Sequence, residues 1–227
     1  MSFSGFTNDT LDYLTALRYN NNREFFRENR DWYLSAVRGP ALALAEELGK
    51  TVEEIDEELE NRPSRVLSHI NRDLRFSRDK TPYRDFFWLS FHGQGEEKHA
   101  RPEFWFELGP DGSSCGMGIY EDVPERMNAF RAMCEKDPGE LLRAVEALGG
   151  RFRLEGRRIR RMEVPQGVPE QLAAFYPLKG FYISHAIEMK QALDPSLASY
   201  VAQRFRDAEK LYRILLGLRG AADGSHI

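Results

Sequence analysis

The sequence predicts an α+β protein: a mainly antiparallel sheet built from hairpins, packed with N-terminal, middle and C-terminal helices. Apolar residues recur at helical spacing in the first quarter and again near the end of the chain, whereas a period of two governs the segment between Phe86 and Ile119. Turn residues, and not helical crossovers, join the alternating runs, which argues against βαβ units.

Taken in order, Thr7 is placed to cap a helix carrying Leu11, Leu14 and Leu17, and Asn20-Asn21-Asn22 ends it. Phe25, Phe26, Trp32, Tyr33 and Val37 form the apolar stripe of a second helix. Gly39-Pro40 marks a kink or a new start before Leu42, Leu44, Leu48, Val52, Ile55 and Leu59. In residues 86–91 both alternating sets are apolar or small, as expected of a central strand covered on both faces. Phe104, Phe106 and Leu108 alternate with their neighbours. Gly109-Pro110-Asp111-Gly112 then supplies a turn before Cys115, Met117 and Ile119.

Two middle helices are predicted, one from Pro124 and one from Asp137-Pro138-Gly139-Glu140, the second stopped by Gly149-Gly150. Glu155-Gly156 reads as a two-residue hairpin turn that would set Arg153 against Arg158 and Arg151 against Arg160, giving one face four arginines. Residues 181–187 form a further strand. Asp194-Pro195 starts a last helix striped by Leu197, Val201, Phe205, Ala208, Leu211, Leu215 and Leu218. No repeat or linker interrupts the chain, so residues 1–220 are expected to form a single domain and 221–227 a disordered tail.

At 227 residues, 41% hydrophobic and 30% charged, the chain can bury a sizeable core. Its net charge of -4 argues against a general nucleic-acid coat. That total averages unlike segments: residues 46–60 hold eight acids against Lys50, whereas residues 151–161 hold six arginines and Glu155. No signal-peptide pattern and no long apolar run is present, so a cytoplasmic protein without membrane association is expected. Two cysteines make no disulfide framework, and the five histidines form no ligand pair, so no metal site is expected. The sequence leaves the cofactor and the oligomeric state unknown.

The densest chemistry lies in residues 71–84, NRDLRFSRDKTPYR, where five cations accompany two acids. Pro82 forces Thr81 toward an extended conformation, so the second half is an ordered loop and not helix. The run RDLRFSRDKTPY resembles the signature of an uncharacterised protein family, domain of unknown function 2461, of the form RDxRFSxDKxPY. The resemblance extends to an N-terminal GF, to Asn21-Asn22 with Phe25-Phe26, to the Pro-Asp-Gly hairpin followed by Gly116-x-Gly118-Ile119-Tyr120, and to Pro165-x-Gly167 before Leu178-Lys179. It spans roughly residues 3–215 and departs from the pattern at Cys115 and Phe26, where glycine and tryptophan are common. It implies a shared fold and a shared polar site, and it brings no established activity.

Chemically, Arg72, Arg75, Arg78 and Lys80 offer cations to a phosphate or carboxylate, Ser77 a hydroxyl, and Asp73 an acceptor. Asp79 and Tyr83 are the candidates for proton transfer. Gly116, Gly118 and Lys179 are secondary candidates for lining a ligand, although a GxG without a phosphate-loop lysine more often marks close backbone approach. An anionic small molecule, with or without chemistry on it, is the leading reading. Nucleic-acid binding by the two basic segments, with Phe86 or Trp105 stacking, is less favoured, and a non-catalytic interaction or scaffold domain is the third. The bland alternative for the cluster is an internal salt-bridge lattice that pins the loop.

Overall fold

The computed structural model describes residues 3–75, 77–95, 101–119 and 124–218. The predicted tail 221–227, Phe76 of the basic run and Tyr120 lie outside them. In chain order the first elements are α1 (Asn8–Tyr19), α2 (Arg23–Glu28), α3 (Arg30–Tyr33), a π-helical turn (Leu34–Arg38), α4 (Gly39–Ile55) and α5 (Pro63–Val66). Then come β1 (Phe87–Phe91), β2 (Glu103–Gly109), β3 (Gly112–Gly118), α6 (Pro124–Lys136), α7 (Gly139–Ala147) and β4 (Arg153–Arg158). The last are α8 (Glu170–Ala173), β5 (Leu178–Ile187), α9 (Met189–Ala192) and α10 (Leu197–Gly217). The five strands form an antiparallel sheet in the order β1-β2-β3-β5-β4, so the α+β class holds.

Of the described residues, those within Met1–Phe91, Trp105–Cys115 and Ala186–Gln203 form one compact unit, and those within His92–Phe104, Gly116–His185 and Arg204–Ile227 form a second. In the first, the Thr7 amide is covered by the Thr10 hydroxyl at 3.4 Å, and α1 buries Tyr13, Leu14 and Leu17. Complete burial of such a side chain is worth about 1.5–3 kcal/mol. Gly39-Pro40 is not a new start: Arg38 and Gly39 are both helical, and the π-helical turn just before the proline is the local irregularity that goes with a residue lacking an N–H for the ladder. Phe6 anchors the aromatic core, its ring centroid 5.3 Å from Phe87 and 6.4 Å from Phe106. In the second unit, Phe104 meets Phe205 and Tyr212, each at 4.9 Å, and Phe181 meets Phe175 and Phe130 at 5.0 and 5.4 Å.

Two expectations are corrected. Strand β1 is not central; it ends the sheet order. Its apolar run is explained by cover along its outer edge, where Leu67 bridges Leu89 and the Ser68 amide donates to the Trp88 carbonyl at 2.8 Å. Glu155-Gly156 is not a turn but the middle of β4, where Glu155 pairs with Tyr182 and Gly156 with Phe181 of β5. The glycine serves close approach: a Cβ there would stand 2.5 Å from the Gly180 carbonyl oxygen. The four-arginine hairpin face therefore does not exist.

Candidate functional site

The 71–84 segment is built as a stapled loop within the first unit. Its arms run antiparallel, with the Arg72 amide donating to the Pro82 carbonyl at 2.9 Å and the Arg84 amide to the Ile70 carbonyl at 2.8 Å, around an Asn71–Tyr83 bridge. Pro82 suits its place in an arm because its carbonyl accepts while it has no N–H to satisfy. The arms are fixed from below by the connection between α1 and α2 and by α2 itself. Asn21 Nδ2 donates to the Tyr83 carbonyl at 2.9 Å, the Tyr83 amide returns a bond to Asn21 Oδ1 at 3.0 Å, and the Phe26 ring stacks on Tyr83 with centroids 4.4 Å apart. Asn22 orients this support by capping α2, accepting from the Phe25 amide at 2.9 Å.

Within the tip, both acids are engaged by cations of the same loop. Asp73 accepts from the Arg75 amide at 3.1 Å and from its guanidinium, the shortest bond being 2.6 Å. Asp79 accepts from the Thr81 amide and hydroxyl, each at 2.9 Å, and from the Arg72 guanidinium. Arg72 also donates to the Thr81 hydroxyl, and at 3.4 Å to Ser77 Oγ. Lys80 Nζ donates to the Leu74 carbonyl at 3.0 Å, and Arg84 to the His69 carbonyl at 2.6 Å. The Thr81 amide and the Arg72 guanidinium hold the Asp79 carboxyl down at about 2, and the Arg75 guanidinium holds that of Asp73 below its ordinary value.

Charge is left over. Among the described residues no carboxylate pairs with Arg78, Lys80 or Arg84, and Arg78 and Lys80 are exposed. Hydrogen bonds thus join Arg72, Ser77 and Asp79 in one network and Asp73 and Arg75 in another, while Arg78 and Lys80 share the loop as exposed cations. Tyr83 lies beneath them, 8% exposed and held by Asn21 and Phe26.

The secondary candidates belong to the second unit. Gly116 is a buried position of β3, and at Gly118 a Cβ would collide with the backbone of Tyr182 in β5, so packing alone accounts for that glycine. Lys179 is exposed on β5 and is not without a partner.

Sequence reasoning missed three features. Arg18, at the end of α1, binds Asp85 and grips Asp111 with two bonds of 2.8 and 2.6 Å. These residues line a cleft of about 490 Å³ together with Glu107 and Ser114. Arg131 of α6 is 7% exposed and donates to the carbonyls of Tyr176 and Leu178 at 2.9 and 2.6 Å. The Asn21–Tyr83 pair is the third, and it alone had a signal, because both residues belong to the motif pieces shared with the resembled family. The ion pairs of Arg18 span 67 and 93 residues and leave no local trace.

Among the described residues no three His, Cys, Asp or Glu side chains converge into a set able to hold a metal ion, and no helix is long and apolar enough to cross a membrane. No curated protein matches the chain. A family model described as "Conserved hypothetical protein (DUF2461)" matches residues 9–213, which includes the stapled loop, its Asn21 and Phe26 supports and Gly116 and Gly118 of β3. The chain therefore belongs to the family of domain of unknown function 2461.

Proposed function

We propose that the 72–84 loop is a preformed binding site for the anionic group of a small molecule, a phosphate or a carboxylate. One observation carries the reading: the two acids of the loop are consumed by Arg72 and Arg75, while Arg78, Lys80 and Arg84 keep no carboxylate partner among the described residues. The ion pairs fix the tip in advance, so an incoming anion meets cations whose ordering cost falls on folding and not on binding. In this reading Arg78 and Lys80 contact the anion, Arg72 and Asp79 position the backbone, and Ser77 supplies a hydroxyl. Asp79 is an anchored carboxylate at neutral pH and a poor proton acceptor, since its oxygens already receive two bonds from Thr81 and one from Arg72. The role is binding, and no catalytic step is assigned to Asp79 or Tyr83.

A second reading is supported by the same staples: a loop that is only a structural pin of an interaction domain. Thermal unfolding in inorganic phosphate, in succinate and with a single-stranded oligonucleotide separates the readings. An anion at ten times its dissociation constant stabilises by about 1.4 kcal/mol, which is about 3–6 °C for a chain of this size. The binding reading expects that shift with phosphate or succinate in the wild type and its loss in Arg78→Ala/Lys80→Ala. No shift with either anion, or an equal shift in the variant, supports the pin. A shift with the oligonucleotide alone points to nucleic acid.

A further inference from the structure

We propose that the outer edge of β4 is a docking site for an extended acidic peptide, which would add to the sheet as a sixth strand. This edge involves no residue of the stapled loop. Strand β4 ends the sheet order, and its pairing with β5 is regular from Arg153 to Gly156 before a register shift between Gly156 and Arg158. A terminal strand presents a row of backbone donors and acceptors that an extended segment can satisfy.

Charge selects the occupant. Arg153, Arg158, Arg160 and Arg161 are exposed and form no ion pair among the described residues. The one acid of the strand, Glu155, is turned to β5, accepting from Ser184 Oγ at 2.6 Å and from the Tyr182 hydroxyl at 3.2 Å. Against Glu155, the strand and the residues just after it carry these four exposed arginines, so the edge is positive on balance. A second copy of the same edge would bring arginines against arginines, which destabilises a strand pair. The arginines that repel a second copy attract a strand bearing Asp or Glu.

Shape adds a second requirement. A cleft of about 420 Å³ flanks the strand, lined by Leu154, Glu155, Gly156, Arg158, Ala174 and Leu178. The space beside Gly156 is already taken by the backbone of β5, so the apolar part of the cleft is the half-buried Leu154 with Ala174 and Leu178; an apolar side chain of the peptide meets that face while Arg153, on the opposite face, meets a carboxylate. The fitting partner alternates acidic and apolar residues over about four positions, the length of the regular ladder.

The experiment measures binding of a fluorescein-labelled ten-residue peptide alternating glutamate and valine to the full chain by anisotropy. Two further peptides are N-methylated at the glutamates or at the valines. Strand addition uses the amides of only one set, so the two methylated peptides are expected to differ at least tenfold in affinity. Arg153→Glu/Arg158→Glu is expected to weaken the unmethylated peptide at least tenfold with an unchanged unfolding midpoint. Absence of binding, equal affinity of the two methylated peptides, or displacement of the peptide by an oligonucleotide at equal charge concentration overturns the proposal. Self-association through this edge, seen by sedimentation as a dimer that Arg153→Glu/Arg158→Glu abolishes, overturns it as well.

Discussion

Arg72→Ala removes the guanidinium that joins the two arms of the stapled loop through Asp79, Thr81 and Ser77. The Arg72 side chain is 26% exposed and that of Asp79 57%, so the ion pair is largely screened and adds little. The bond to the Thr81 hydroxyl adds about 1 kcal/mol net, and the 3.3 and 3.4 Å approaches to the Thr81 carbonyl and Ser77 Oγ are too long to add much. The expected loss is therefore about 1–2 kcal/mol, and it falls first on local opening of the loop. Hydrogen exchange reads this directly. The amides of Arg72 and Arg84, which close the arms onto Pro82 and Ile70, should exchange about 5–30 times faster in the variant. Amides of α4, packed elsewhere in the same unit, should keep their rates unless the global midpoint falls. Unchanged exchange at Arg72 and Arg84 would show that backbone pairing and the Asn21 clamp hold the loop without the staple, and the preformed site would lose its basis.

Glu60 is 3% exposed and held by Arg62, with bonds of 2.7 and 2.6 Å, and by Arg65 at 3.4 Å. The Arg62 guanidinium lowers its carboxyl to about 2, so its contribution is present above the ordinary carboxylate value and is lost as pH falls toward 2. Urea titrations of wild type and Glu60→Gln should converge over that interval and differ by about 1–3 kcal/mol at pH 7; a pH-independent difference contradicts the assignment. Gly118→Ala forces a Cβ into the Tyr182 backbone and should cost about 3 kcal/mol or more without touching phosphate affinity, whereas lost affinity in a stable variant would make Gly118 a ligand contact. Cys115 and Cys134 are both fully buried, and burial pushes the Cys134 thiol up to about 12. Neither should react with a thiol reagent until the chain unfolds, and a thiol titrated at native rates would refute the packing.

Local chemistry made some of this molecule legible from its residues. The β2–β3 hairpin follows from Gly109-Pro110-Asp111-Gly112, where proline presets one angle and Gly112 takes a φ of 152° that an L side chain rarely adopts. Gly149 and Gly150 end the segment after α7 with φ of 59° and 68° for the same reason. Gly156 misled because a glycine needed for a turn and one needed for close strand approach are the same letter, and only the pairing with β5 tells them apart. The run 86–91 misled because cover by residues 67–68 gives an edge strand the composition of an inner one. At the loop the residue types were evident, but the partition of its charge was not. Which acid takes which arginine depends on the arm register and on the Thr81 backbone, and that partition decides which cations remain for a ligand.

The most direct test of the anion site is a ¹⁵N spectrum of the arginine Nε and lysine Nζ groups during titration with inorganic phosphate at constant ionic strength. The signals are assigned through Arg78→Lys and Lys80→Arg. The account predicts saturable shifts at Arg78 and Lys80, with the Arg72 signal shifting little because its guanidinium stays on Asp79 and Thr81. Saturable shifts confined to the arginines of residues 151–161, or no saturable shift at all, would contradict it.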